Sequence, residues 1–388
     1  MFNPKTSNLK LFLLQAALPH PDREKLAGAL QAITDWDEAI QNLQQEGILP
    51  FFYDNLKKLD LVHLLPGSAK KSIKERLRRQ AMHQLNQDSV FAELAGLLNQ
   101  HQIPFIPIKG MTLRHHVYAT PALRPMLDLD LLIKPEDAER ITHLMKELGA
   151  RQAPGLHSEY LNSLQHHRPP MQYRNTPIEF HTSFFRKTSH YNLTPETAWQ
   201  KNRKAILLNQ EIKLLIIEIN LVYITIHAYN HLTGNRFKLI WLTDVCLYLQ
   251  KMLIDWNKIT NLQQNEADKK AFYAMMGLME ELDQFSFPEK IQSELRPKWT
   301  QETQEALEKH LQGHRSNQKT GVLNALGRLD NQEKIKFITS VLFPSKKFMR
   351  KKYMWKNRFT IIFLYPYHIF IKIMEGLYYL AIRGKSKN

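Results

Sequence analysis

Apolar positions recur with a helical period along most of this chain, and the period shortens to two only in segments between residues 105 and 215. Trp36, Ile40 and Leu43, then Ile48, Leu49, Phe51 and Phe52, are spaced as buried faces, with Gly47 as a helix stop, so residues 1 to 85 predict a helical N-terminal region. Val90, Phe91, Leu94, Leu97 and Leu98 predict a helix from Asp88 to Gln100, capped by Asp88 and ended by Pro104. Phe105 to Ile108 then reads as a strand, Lys109-Gly110 as a turn, and Met111 to Tyr118 as a short helix. A second strand from Met126 to Ile133 alternates Asp128 and Asp130 on one face with Leu127, Leu129 and Leu131 toward the core.

Pro135 opens a helix that packs Ala138, Ile141, Leu144, Met145 and Leu148 and stops at Gly149. Two more strands, His166 to Arg174 and Ile178 to Phe184, are predicted around an Asn175-Thr176-Pro177 turn, with Glu179, His181 and Ser183 on one face. After a hairpin at Ala205 to Leu215, turning at Asn209-Gln210, the chain reads as helical to about residue 340. That stretch includes a helical pair, Glu218 to Leu232 and Phe237 to Met252. The expected class is α+β, a predominantly helical chain around a small mixed sheet. Its expected parts are a helical region 1–85, a core with the chemistry-bearing strands at 86–190, a mostly helical domain 191–340 and a basic, aromatic tail 341–388.

Composition adds little to this picture until the charge is placed. With 388 residues, two or three domains are the size expectation, and 14 glycines fit a helical majority. The single cysteine, Cys246, excludes an intrachain disulfide and suits a reducing, cytoplasmic setting. The apolar run Leu9 to Leu18 is followed by His20, Pro21, Asp22 and Arg23 in place of a small-residue cleavage site, which argues against an export signal.

Formal net charge is +16, but 13 basic residues and one acidic residue lie from Lys334 onward, which leaves only +4 for everything before. The tail therefore seeks an anionic membrane surface or another polyanion, whereas a nearly balanced remainder argues against nucleic acid as a partner. Phe359 to Ile382 is long enough to span a bilayer, yet Pro366, His368, Lys372, Glu375 and Gly376 interrupt it, and a packed helix and an interfacial helix stay open beside a span.

Two carboxylates side by side on one strand repel, and a divalent cation is the economical reason to keep them there. Glu179 adds a third carboxylate on a strand able to pair nearby, the ligand set of a two-metal phosphoryl-transfer site. Lys109-Gly110 ahead of a helix is a phosphate-binding turn, the glycine admitting an anion and the lysine adding charge. His227 and His231 share a helix face opposite Asp244, but without a glutamate base or further ligand histidines they read as core or pocket residues.

Together, IKGMTL (108–113), RPMLDLDLLI (124–133) and IEFH (178–181) resemble the nucleotidyltransferases of the DNA polymerase beta superfamily, and within it the bacterial group of uncharacterised nucleotidyltransferases. DWDEAI, GILPFF, IHAYNH, WLTDV and LFPSKKFMRKKY are similar to that group as well. The resemblance implies transfer of a nucleoside monophosphate from a nucleoside triphosphate to an acceptor hydroxyl, with two Mg2+ ions, or Mn2+, held by Asp128, Asp130 and Glu179. Lys109, Gly110 and Arg124 are the expected phosphate contacts, and His181 is expected to orient Glu179, approach the acceptor or bond within the sheet. The more usual Gly-Ser turn is here Lys109-Gly110-Met111, with Thr112 the nearest hydroxyl, and the third acid is glutamate. Base contacts are expected from the helices after residue 218. The rival reading is a noncatalytic binder of anions or membranes on an inherited fold.

Overall fold

The computed structural model describes residues 8–152, 161, 163–234, 236–263, 265–312, 329–354 and 363–385. Its first four helices are α1 (Asn8–Ala17), α2 (Arg23–Gln31), α3 (Trp36–Gln45) and α4 (Leu49–Lys58). Local chemistry sets their starts: the Asp22 carboxylate accepts from the amides of Glu24 and Lys25, Asp35 accepts from Glu38, and Pro50 occupies the first turn of α4. Gly47, at φ +76, makes the turn between α3 and α4.

The next helix, α5 (Gly67–Gln100), is 34 residues long and runs unbroken through residue 85, where the sequence places a boundary. Asp88 is thus mid-helix rather than a cap, and its carboxylate accepts from Arg114 Nη2 at 2.9 Å and meets His115 Nε2 at 3.1 Å. The first half of α5 has few buried apolar positions, Ala69 and Ile73, so apolar periodicity underestimates the helix.

Five short strands form a mixed sheet in the order β1-β2-β5-β4-β3. They are β1 (Phe105–Pro107), β2 (Leu129–Ile133), β3 (Arg151–Gln152), β4 (Met171–Tyr173) and β5 (Thr176–His181). Only β2 and β5 run parallel, in a register that sets Asp130 opposite Glu179 and Leu132 opposite His181. The β4–β5 turn is Arg174-Asn175, both at positive φ, a primed two-residue hairpin turn, so Thr176 and Pro177 belong to β5 and not to the turn. A separate hairpin, β6 (Asn202–Leu207) and β7 (Gln210–Leu215), turns at Leu208-Asn209 with the same signature, one residue earlier than expected.

The two faces of the sheet meet different cores. Leu129, Leu131, Ile133, Ile178 and Phe180 pack with Val90, Phe91, Leu94 and Leu98 of α5 and with Ile141 and Met145 of α7 (Ala138–Glu147). Leu132, on the other face, joins a larger core that unites α1 to α4 with the helices Ile217–Thr233, Leu239–Lys251, Glu266–Glu281 and Pro297–Leu311. Residues distant in sequence are tied across this core: Thr243 Oγ1 donates to the Ala17 carbonyl at 2.7 Å. The fold is α+β, mostly helical around a small mixed sheet, as the periodicity predicts.

Candidate active site

Strand alternation places Asp130 on the sheet face turned from the smaller core, and the parallel register brings Glu179 and His181 beside it. The ligand atoms of these three residues all lie within 4.8 Å of one another. A short antiparallel bridge, His167 to His181, adds two more imidazoles, with the His166 and His167 ring centroids 5.1 and 5.5 Å from His181. Asp128 lies one residue before β2, which begins at Leu129, yet it lines the same cleft as Asp130, whereas Leu127 is 67% exposed instead of facing the core. Two buried glutamines of α5 fix that approach, Gln84 Nε2 donating to the Arg124 carbonyl at 3.2 Å and Gln87 Nε2 to the Met126 carbonyl at 3.2 Å.

The turn before α6 (Gly110–His116) holds Lys109 at φ +51, a conformation that L residues adopt at a cost, and this aims its ammonium at Asp130 Oδ1, 2.8 Å away. His181 Nε2 meets the same oxygen at 2.6 Å and Glu179 Oε2 at 3.5 Å. Burial opposes ionisation of Asp130, but Lys109 and His181 outweigh it and hold the carboxyl far below its usual range. Burial likewise disfavours the Lys109 ammonium, and Asp130 more than restores it, so Lys109 stays charged. Asp128 behaves in the opposite way: burial, then Asp130, then Glu179 push it up to about 7.

The surroundings of three further residues add to the expectations for them. Arg124 lines the cleft but is also held by Asp244, its Nε and Nη2 donating to that carboxylate at 3.0 and 2.7 Å in a buried pair that Tyr118 joins through a 2.7 Å hydrogen bond, so it braces the loop before β2 against the Leu239–Lys251 helix. Gly110 lines the cleft, and a Cβ there would lie 2.6 Å from both Arg124 Nη1 and Met126 Sδ, so a larger residue would displace those side chains. His181, fully buried, has no surface with which to approach an acceptor.

Above the carboxylates opens a cleft of about 970 Å³, lined by all three acids, Lys109, His166, His167, His227 and His231. Sequence reasoning missed most of its other walls. Arg76, Arg79, Gln80 and His83 reach it from α5, Arg186 from the segment after β5, Arg236 and Lys238 from the turn between two long helices, and Trp241 from the start of the second of these, Leu239–Lys251. The legible signal is the polar stripe at 76, 79, 80 and 83, which has helical spacing. Burial and then the neighbouring Arg236 lower the pKa of Arg186, a crowding of cations that an anion relieves.

A divalent cation fits this donor set: two carboxylates and an imidazole converge, and Asp128, raised by its acidic neighbours, gains from added positive charge. The family model described as uncharacterised nucleotidyltransferase matches residues 33–284. Among solved structures, the chain is similar to the antibiotic-resistance factor ANT(2'')-Ia, solved in solution, at 11% identity and a TM-score of 0.35, covering 51% of this chain and 97% of that one. No curated protein matches.

Proposed function

The chain belongs to the uncharacterised nucleotidyltransferase family, and we propose that its reaction moves a nucleoside monophosphate from a nucleoside triphosphate to an acceptor hydroxyl on the floor made by Asp128, Asp130 and Glu179. The observation that carries this reading is the convergence of Asp130, Glu179 and His181 beneath a cleft whose other charged walls are cationic. A purely anion-binding protein has no use for three carboxylates at the centre of its basic surface.

In this reading Asp128, Asp130 and Glu179 hold Mg2+, or Mn2+. Bound there, the metal supplies charge stabilisation at the α-phosphorus and the leaving pyrophosphate and lowers the pKa of the acceptor hydroxyl. The bond from the acceptor oxygen to the α-phosphorus forms, the bond to the β-phosphate bridging oxygen breaks, and the hydroxyl proton passes to a carboxylate oxygen on the same floor. Lys109 keeps Asp130 ionised and positioned, and His181 locks the Asp130 and Glu179 carboxylates in one orientation. Arg186, Arg236 and Lys238 offer cationic contacts to phosphate oxygens.

Incubating the protein with the four ribonucleoside triphosphates, Mg2+ and a mixture of hydroxyl acceptors tests this by pyrophosphate release. Release is expected in the parent and a fall of several orders of magnitude in Asp128→Asn and Glu179→Gln. Near-parental release by either variant refutes the assignment.

For the tail we propose contact with an anionic membrane surface. The helix Leu364–Lys385 and the residue before it expose Phe363, Tyr367, Phe370 and Met374 at helical spacing, and Phe343 and Met354 are exposed nearby beside Lys346. Among the described residues no helix is long and apolar enough to cross a membrane, so the exposed stripe is read as lying on a surface.

A further inference from the structure

Three rings gather where the cleft meets the C-terminal helices, and none of them has a part in the transfer outlined above. Trp241 stands in the first turn of the Leu239–Lys251 helix, with its ring centroid 5.0 Å from His227 and 4.5 Å from His231. The two imidazoles, one turn apart on the Ile217–Thr233 helix, are 4.4 Å from each other. All three line the cleft and all three are partly exposed, so ring surface remains open to a ligand.

Their place in the cleft narrows what that ligand is. His227 lies within the electrostatic reach of Lys109 and Asp130, which puts the rings beside the carboxylate floor. His231 feels Lys109, Arg236, Arg186 and Lys238, which puts the cations beside the same rings. Burial, and then those cations, push His231 down to about 4, and burial and then His231 hold His227 well below its usual range. Neutral imidazoles do not recruit an anion; they present a π-face and one donor and one acceptor nitrogen each, the complement of a heteroaromatic ring with polar edges. Of the two ligands that a nucleotidyl transfer needs, only the nucleotide necessarily brings such a ring, and it brings it tethered to phosphates that suit the adjoining cations.

We propose that Trp241, His227 and His231 form the platform on which the base of the nucleoside triphosphate stacks. The inference rests on the nucleotidyltransferase reading and adds to it the site of base recognition. Calorimetric titration of the full chain with the magnesium complexes of ATP, GTP, CTP and UTP, and of inorganic tripolyphosphate, separates the two. At least one nucleotide is expected to bind the parent roughly 5- to 150-fold more tightly than tripolyphosphate, the range that stacking one base on an aromatic side chain contributes. Trp241→Ala is expected to erase that margin while leaving tripolyphosphate affinity unchanged, and Trp241→Phe to keep most of it. Binding should quench tryptophan emission in the parent and not in Trp241→Phe, a reading that decides the matter if the alanine variant does not fold. Nucleotides that bind no better than tripolyphosphate, a Trp241→Ala protein with parental nucleotide affinity, or quenching that persists in Trp241→Phe overturns the platform alone. A parent that binds neither nucleotide nor tripolyphosphate overturns the nucleotidyltransferase reading and the platform with it.

Discussion

Asp128 and Asp130 look interchangeable in the sequence, from which each Asn variant is expected, without metal, to be as stable as the parent or slightly more so, since one member of a repelling pair is neutralised. Their surroundings separate them. Asp130 is buried, with Lys109 at 2.8 Å and His181 at 2.6 Å on one oxygen, so Asp130→Asn leaves a buried ammonium without its counter-charge and should cost about 3–5 kcal/mol in chelator. Asp128→Asn removes a carboxylate already held near 7 by burial, Asp130 and Glu179, and should be neutral or stabilising. The sign with pH follows: between about pH 4 and 7 the unfolded chain has released a proton that native Asp128 keeps, so this residue's contribution to stability falls as pH rises through that window and is flat above it. Urea titrations in chelator at pH 5, 6, 7 and 8 should therefore show Asp128→Asn gaining on the parent with rising pH, and a gap that stays constant would sink the assignment. With a magnesium nucleotide at 100 times its dissociation constant, the parent should gain about 2.7 kcal/mol, and the metal-dependent part should vanish in both variants.

At the scale of elements, the site depends on a loop held from two sides, by Gln84 and Gln87 of α5 and by the buried Arg124–Asp244 pair with Tyr118. Asp244→Ala strands the Arg124 guanidinium and should lower stability by about 3–5 kcal/mol, whereas the double change Arg124→Met, Asp244→Leu should recover most of it, because two apolar groups need no counter-charge. Equilibrium urea unfolding checks both, and a double variant no better than Asp244→Ala would show that the pair does more than balance charge. Elements were legible where periodicity and turn chemistry agree: Phe105 to Ile108, the helix after Pro135 and the helical pair around Gly234 all lie within a few residues of their expected bounds. The carboxylate strand pair was legible too, because Asp130 and Glu179 sit on alternating runs. The bracing of Arg124 was not, since Asp244 is 120 residues away and no local pattern distinguishes a guanidinium that grips phosphate from one that grips a carboxylate. The cationic walls escaped for the same reason, as Arg76, Arg186 and Lys238 meet only through the fold.

At the scale of the whole molecule, the basic surplus from Lys334 onward coincides with a run of exposed apolar side chains on the last helix. Among the described residues, the tail packs inward through the buried Met349 and His368: His368 Nε2 donates to the Val341 carbonyl at 3.0 Å and its Nδ1 meets Tyr353 Oη at 2.7 Å, while Tyr365 Oη donates to the Pro344 carbonyl at 2.7 Å. Its other side carries Tyr367, Phe370, Ile373 and Met374, which are each about half exposed or more, Tyr367 with its ring edge-on to Tyr353 at 5.7 Å. Such a stripe beside a surplus of basic residues suits a surface that is both apolar and anionic, each basic residue near such a surface adding about 1 kcal/mol of attraction. Removing residues 346–388 tests this coarsely, because it also uncovers Phe337 and the small cluster it forms with Leu164 and Leu329. A pair of surface changes, Phe370→Ser with Ile373→Ser, leaves the inward contacts alone and should lower binding to phosphatidylserine-containing vesicles, read by co-sedimentation, by tenfold or more. Raising salt from 0.1 to 1 M shortens the screening length from about 10 to about 3 Å and should weaken the parent further, while vesicles of neutral lipid should bind little at either salt. Binding that ignores both the serines and the salt would leave the stripe without a membrane role, and a variant that unfolds would place those side chains in a core.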